Sequence, residues 1–164
     1  MESALRPNRP QSVERSEGPF CHLPDSALRD FELLKTSALY RRGTNLFREG
    51  QAAQQIFIVD QGRVRLSVSA ESGKSMTLRI AQSGEILGLS AALAGTPHEM
   101  TAELLEDAEV ATIQRKDLLC FLHEHRDACL QVVNLLSQDL HMAYDRVRCI
   151  GLTRSRRPRS LEVH

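Results

Sequence analysis

A net charge is what this sequence does without: 21 Lys and Arg balance 21 Asp and Glu. No global field therefore draws the chain to a nucleic acid or a membrane. Long apolar runs are missing too. The longest, Leu118–Leu122, falls far short of a membrane span. The first twenty residues hold three Arg and three Glu around no apolar core, which is not signal-peptide composition. Cys21, Cys120, Cys129 and Cys149 have no C-x-x-C spacing, so no disulfide framework is expected and the chain reads as cytoplasmic. Histidine is scarce where a β-roll metalloenzyme would need it. Between Leu39 and Ile113 only His98 occurs, which argues against the histidine–carboxylate set of a cupin.

What is present is ordinary globular material, 41% apolar and 26% charged, in 164 residues, enough for one domain and an extension. Residues 1–19 carry Pro7, Pro10 and Pro19 among charges and read as a disordered arm. Leu23-Pro24-Asp25-Ser26 signals a helix start, with Asp25 or Ser26 as the cap, and Leu28, Phe31 and Leu34 carry the helix to about Thr36.

From Ala38 the period changes to two. Glycines at 50, 62, 73 and 84 are spaced 12, 11 and 11 apart, the turn spacing of a sandwich or barrel. Gln55–Asp60 (QIFIVD) has a continuous apolar run, Ile56–Val59, and predicts a strand buried on both faces. Val64, Leu66 and Val68 alternate with Arg and Ser as a half-buried strand. Ala70–Lys74 turns the chain into a returning strand of Met76, Leu78 and Ile80. The expected roll core is Ile56, Ile58, Val64, Leu66, Leu78 and Ile80. Thr101–Leu105 and Glu109–Ile113 read as a further pair.

Gly84–Thr101 (GEILGLSAALAGTPHEMT) interrupts this pattern. Ser90–Leu93 fits one helical turn, and Gly88 lets backbone approach a ligand closely. Free N–H groups at such a turn suit an anion; the plain alternative is a strand–turn–strand crossover. Ser90, His98 and Glu99 contain the residue types of a nucleophile triad, but nothing fixes their order, and they read as loop polar residues.

Helical signals return with Lys116–Leu122, break at His123–Arg126, and continue from Asp127 to Ile150 with no Gly or Pro. Val133, Leu136, Leu140, Ala143, Val147 and Ile150 recur in steps of 3, 4, 3, 4, 3, the seam of a two-stranded coiled coil. Leu130, Val132 and Leu135 are left for a contact with the helix's own domain. Cys120, His123, His125 and Cys129 match no zinc spacing, so Cys120 and Cys129 are expected in the core and no metal is expected. The tail from Gly151 has four Arg against Glu162, sufficient only for weak, salt-sensitive nucleic-acid contact.

GTNLFREG at Gly43–Gly50, FIVDQGRV at Phe57–Val64, Gly73-Lys74, Gly84–Gly88 and Thr101 together resemble the effector domain of the Crp/Fnr family of bacterial transcription regulators. The resemblance spans roughly Phe20 to Leu152. It implies a mainly β fold with flanking helices: a double-stranded β-helix, or jelly roll, of the cyclic-nucleotide-binding kind over 20–125. A dimerisation helix over 126–152 and a basic tail over 153–164 follow. It also implies a ligand cassette at Gly88, Leu89, Ser90, Met100 and Thr101.

Three departures bear on the ligand. Members that bind cyclic AMP have a Glu after the cassette glycine and an Arg before the Ser or Thr; here those positions hold Leu89 and Met100. Ala143-Tyr144 stands where the cyclic AMP receptor's long helix presents Thr-Ser to the base. A phosphate buried beside a methionine has no counter-charge. Cyclic AMP is therefore not expected. Nor is the iron–sulfur cluster of the oxygen-sensing branch, since Cys21 alone lies near its site and a cluster needs four ligands. The fourteen residues after Ile150 are too few for a three-helix DNA reader. The expectation is thus a homodimeric sensor module, not an enzyme, which reaches DNA only through a helix-turn-helix absent from these residues. The other reading is a stand-alone module that binds a small ligand and acts on a partner protein.

Overall fold

The computed structural model describes residue 20 and residues 22–155, with side chains through residue 149. The arm expected over 1–19, Cys21, the tail from residue 156 and the Ile150 side chain lie outside the described residues. In chain order the elements are α1 (Asp25–Leu34), β1 (Thr36–Tyr40), β2 (Asn45–Phe47), β3 (Gln55–Gln61), β4 (Val64–Ser69), β5 (Ser75–Ala81) and β6 (Ile86–Leu87). Then come α2 (Leu89–Ala94), β7 (Thr101–Leu104), β8 (Ala108–Gln114), α3 (Arg115–Glu124) and α4 (Arg126–Ser155). The strands form two four-stranded antiparallel sheets, ordered β1-β8-β3-β6 and β2-β7-β4-β5.

Strand β3 explains the layering. Its side chains alternate between faces, and both faces are apolar. Phe57 and Val59 enter the core inside the roll with Phe47, Val64, Leu66, Leu104 and Val110. Ile56 and Ile58 enter a second core beneath the helices with Phe31, Ile113, Leu118 and Phe121. Each large side chain so buried contributes about 1.5–3 kcal/mol. Gly62 makes the β3–β4 turn possible. Its φ is +118°, and a Cβ there would lie 2.6 Å from the Ala108 Cβ.

Several expectations need correction. No side chain caps α1; Pro24 precedes it, and the helix stops at Leu34 because the backbone is already extended at Lys35. The segments around Thr101 and Glu109 do not pair. β7 joins β4 in one sheet while β8 joins β3 in the other, so the Glu106-Asp107 link crosses between layers. Between Leu66 and Ser67 the pairing with β5 skips Leu78, a bulge on β5; Ser67 is buried and Val68 half-buried. β5 lies at a sheet edge: Ile80 is 45% exposed, Leu78 only half-buried, and Ala81 takes the core position. Cys120 and Cys129 are exposed rather than in the core, and so is Leu130, whereas Val132 is buried and Leu135 packs beneath the helices. Beyond Gln138, α4 runs along the roll with little cover: every described side chain but Arg146 is largely exposed. Among the described residues no helix is long and apolar enough to cross a membrane.

Candidate functional site

The cassette is held at its start by two bonds to β3: Gly84 N–H to Val59 O (2.7 Å) and Val59 N–H to Glu85 O (3.0 Å). Gly88 then turns the chain with φ +80° into α2. The left-handed backbone demands glycine, and a Cβ would also meet His98 Cε1 at 3.0 Å. His98 returns beneath this turn. Its backbone exchanges bonds with Gln51 O and Gly50 N–H, both 2.8 Å, and its ring stacks on Phe47 with centroids 3.9 Å apart. The ring is 5% exposed, and burial pulls its pKa below the ordinary 6.5, which favours neutral imidazole.

A cavity of about 490 Å³ lies between the cassette, β4 and β5 of the roll, and α4. Of the cassette candidates, Gly88, Ser90 and Met100 line it. Leu89 does not: it is buried in the core beneath the helices. Thr101 is also elsewhere, its Oγ1 accepting the Glu49 N–H at 3.1 Å. Of the helix seam, Leu136, Leu140 and Ala143 line the cavity, while Val133 and Val147 are 57% and 66% exposed. Ser90, His98 and Glu99 all line the cavity, yet no hydrogen bond joins them, and the His98 ring contacts Phe47 instead.

Sequence reasoning missed the charged residues here. Arg79 Nη1 on β5 pairs with Glu85 Oε1 at 2.6 Å, and the other Glu85 oxygen accepts the Gln82 N–H. Asp139, on α4, is raised above its ordinary 3.8, chiefly by partial desolvation at the cavity wall; Arg79 opposes the rise and Glu85 adds to it. Arg146, also on α4, is the second cation of the lining. No local signal marks them: Arg79 alternates as a solvent-face residue should, and only the return of α4 across β5 brings Asp139 and Arg146 to it.

The His/Cys group between α3 and α4 is engaged otherwise. His125 Nε2 lies 3.1 Å from Asp30 Oδ2, and Cys129 Sγ donates to Leu122 O at 3.0 Å. Among the described residues no group of three His, Cys, Asp or Glu is arranged to hold a metal ion.

Residues 38–125 match the cyclic nucleotide-binding domain model. The chain is 28% identical over 118 residues to the anaerobic regulatory protein of Bacillus subtilis, covering 71% of this chain and 50% of that protein. It is 28% identical over 109 residues to the cyclic AMP receptor protein of Thermus thermophilus, covering 63% and 50%. The crystal structure of Thermus thermophilus catabolite activator protein superposes with a TM-score of 0.74 at 23% identity, over 81% of this chain and 62% of that one, a likeness of fold. The chain spans about half the length of the curated relatives it matches.

Proposed function

Because the chain belongs to the cyclic nucleotide-binding domain family, we propose that it is the sensing and dimerisation part of a cytoplasmic Crp/Fnr-type transcription regulator whose cassette does not take cyclic AMP. The observation that carries this reading is the placement of Leu89 and Met100. A nucleotide in the cassette needs an acceptor for its ribose hydroxyl and a cation for its phosphate. Leu89 is turned into the core, and Met100 lines the cavity with a thioether. Arg79, the cation of the lining on the roll side, is already held by Glu85. Nor do the cysteines favour a cluster: Cys120 lies on α3, and Cys129 and Cys149 lie on α4.

The cavity is nonetheless placed to act as a sensor, because Leu136, Leu140 and Ala143 belong both to its lining and to the proposed dimer seam. An occupant that fits one position of α4 better than another biases the helix pair by the difference in its two affinities. DNA would be reached only through a helix-turn-helix domain, and catalysis has no place in this scheme. Thermal melts with and without millimolar cyclic AMP test the reading. A ligand at 100 times its dissociation constant adds about 2.7 kcal/mol, a shift of roughly 5–10 °C for a domain of this size. No shift is expected; one of that size with cyclic AMP, and none with AMP, would overturn the reading.

A further inference from the structure

The buried part of the cavity lining is apolar: Phe47, Leu66, Leu87 and Ala91, with the His98 ring among them. The volume, about 490 Å³, is that of a small-molecule site. We propose that this cavity takes an uncharged, largely apolar molecule carrying a single hydrogen-bonding head. The proposal rests on the reading above, that the cassette does not hold a cyclic nucleotide, and names what it holds instead.

The charges of the lining oppose an ionic head of either sign. They are two arginines, Arg79 and Arg146, and two carboxylates, Asp139 and Glu99. An anion approaching Arg79 meets a guanidinium already neutralised by Glu85 through a 2.6 Å ion pair, and sits in the field of Asp139. An anion at Arg146 still shares the cavity with Asp139 and Glu99, and a cation meets both guanidinium groups. An ionic head would give up its hydration for a balanced set of charges, while an uncharged head gives up little. Ser90 supplies the polar contact. Its side chain lines the cavity, its hydroxyl has no partner among the described residues, and it can donate to or accept from a hydroxyl, carbonyl or amine. The His98 ring, kept neutral by burial, offers no charge to compete with this.

The matched dyes N-phenyl-1-naphthylamine and 8-anilinonaphthalene-1-sulfonate share one aromatic body, and only the second is an anion. Fluorescence titration of the full chain should give one saturable site for the uncharged dye, at least tenfold tighter than for the sulfonate. Leu78→Trp, filling the cavity from β5, should weaken the uncharged dye at least tenfold. Met100→Arg, which places a cation in the lining, should reverse the preference. Circular dichroism checks the folding of each variant. The inference is overturned if the wild-type chain does not bind the uncharged dye, if the sulfonate binds equally well, or if both folded variants bind like the wild type. Displacement of bound dye by cyclic AMP would instead sink the underlying reading; dye failure without any cyclic AMP binding would sink this inference alone.

Discussion

His98 carries more of the site than its place in a loop suggests. It stacks on Phe47, touches the Gly88 turn and is 5% exposed. Burial lowers its pKa, so below pH 6.5 the unfolded chain takes a proton that the folded chain resists. Stability therefore falls as pH falls from 6.5 towards the folded-state pKa, where the loss is complete. Asp60 and Asp139 act in the opposite sense. Desolvation raises both above 3.8, so the folded state binds the extra proton, and their contribution grows as pH falls through their raised pKa values. Wild type and a His98 variant carry both carboxylates alike, so the difference between them at pH 7.5 and 5.5 reads His98. His98→Phe keeps a ring against Phe47 and cannot titrate. Its urea midpoint should drop less between these pH values than that of the wild type, by tenths to about 1 kcal/mol in stability. An equal drop in both proteins would remove His98 as the source. Nothing in GTPHEMT announces this burial; it depends on Phe47, fifty-one residues earlier in the chain, closing over the loop.

At the scale of elements, α2 is held by its surroundings rather than by itself. It has six residues, too few to stand alone, and left-handed glycines bound it at both ends. Arg115, the first residue of α3, anchors it: Nε donates to Ala92 O at 2.6 Å while the Arg115 N–H bonds Gln54 O at 2.8 Å. Arg115→Met keeps the aliphatic stem but removes the charged donor, and should cost about 1–2 kcal/mol, less than a fully buried bond of this kind because the pair is only partly buried. Hydrogen exchange at the amides of α2 should accelerate while that of β3 does not; unchanged exchange in α2 would discard the anchor. The same elements show what was legible. β3, the β4–β5 hairpin, the short helix and the long helix follow from local periodicity and glycine turns, because each is decided by its own side chains. The β5 bulge at Leu78 is not: MTLRI alternates as a sequence, and the offset arises from pairing with β4. Nor is the separation of β7 from β8, which depends on partners 34 or more residues away in the chain.

For the whole molecule the question is what α4 does with the face it does not spend on its own domain. Its thirty residues extend about 45 Å. Ala128 and Val132 bury its first turns, but Val133, Leu140 and Val147 remain 57%, 53% and 66% exposed. These three are one row of the 3-4 seam, and a second copy laid parallel would cover them. Large apolar side chains contribute about 1.5–3 kcal/mol each on full burial, and association entropy takes back a large share. The wild type should therefore be a dimer at roughly tens of micromolar. Leu140→Lys would set two ammonium groups across the axis, but Leu140 also lines the cavity, so its effect mixes two causes. Val133→Lys with Val147→Lys separates them, since neither residue lines the cavity. Light scattering should show this double variant as a monomer, with circular dichroism unchanged, because the roll's cores contain neither side chain. Its affinity for N-phenyl-1-naphthylamine should change only as far as dimerisation and the cavity are coupled through Leu136, Leu140 and Ala143. A wild-type monomer at that concentration, or a double variant that dimerises as well as the wild type, would mean that this face of α4 is not where two copies meet.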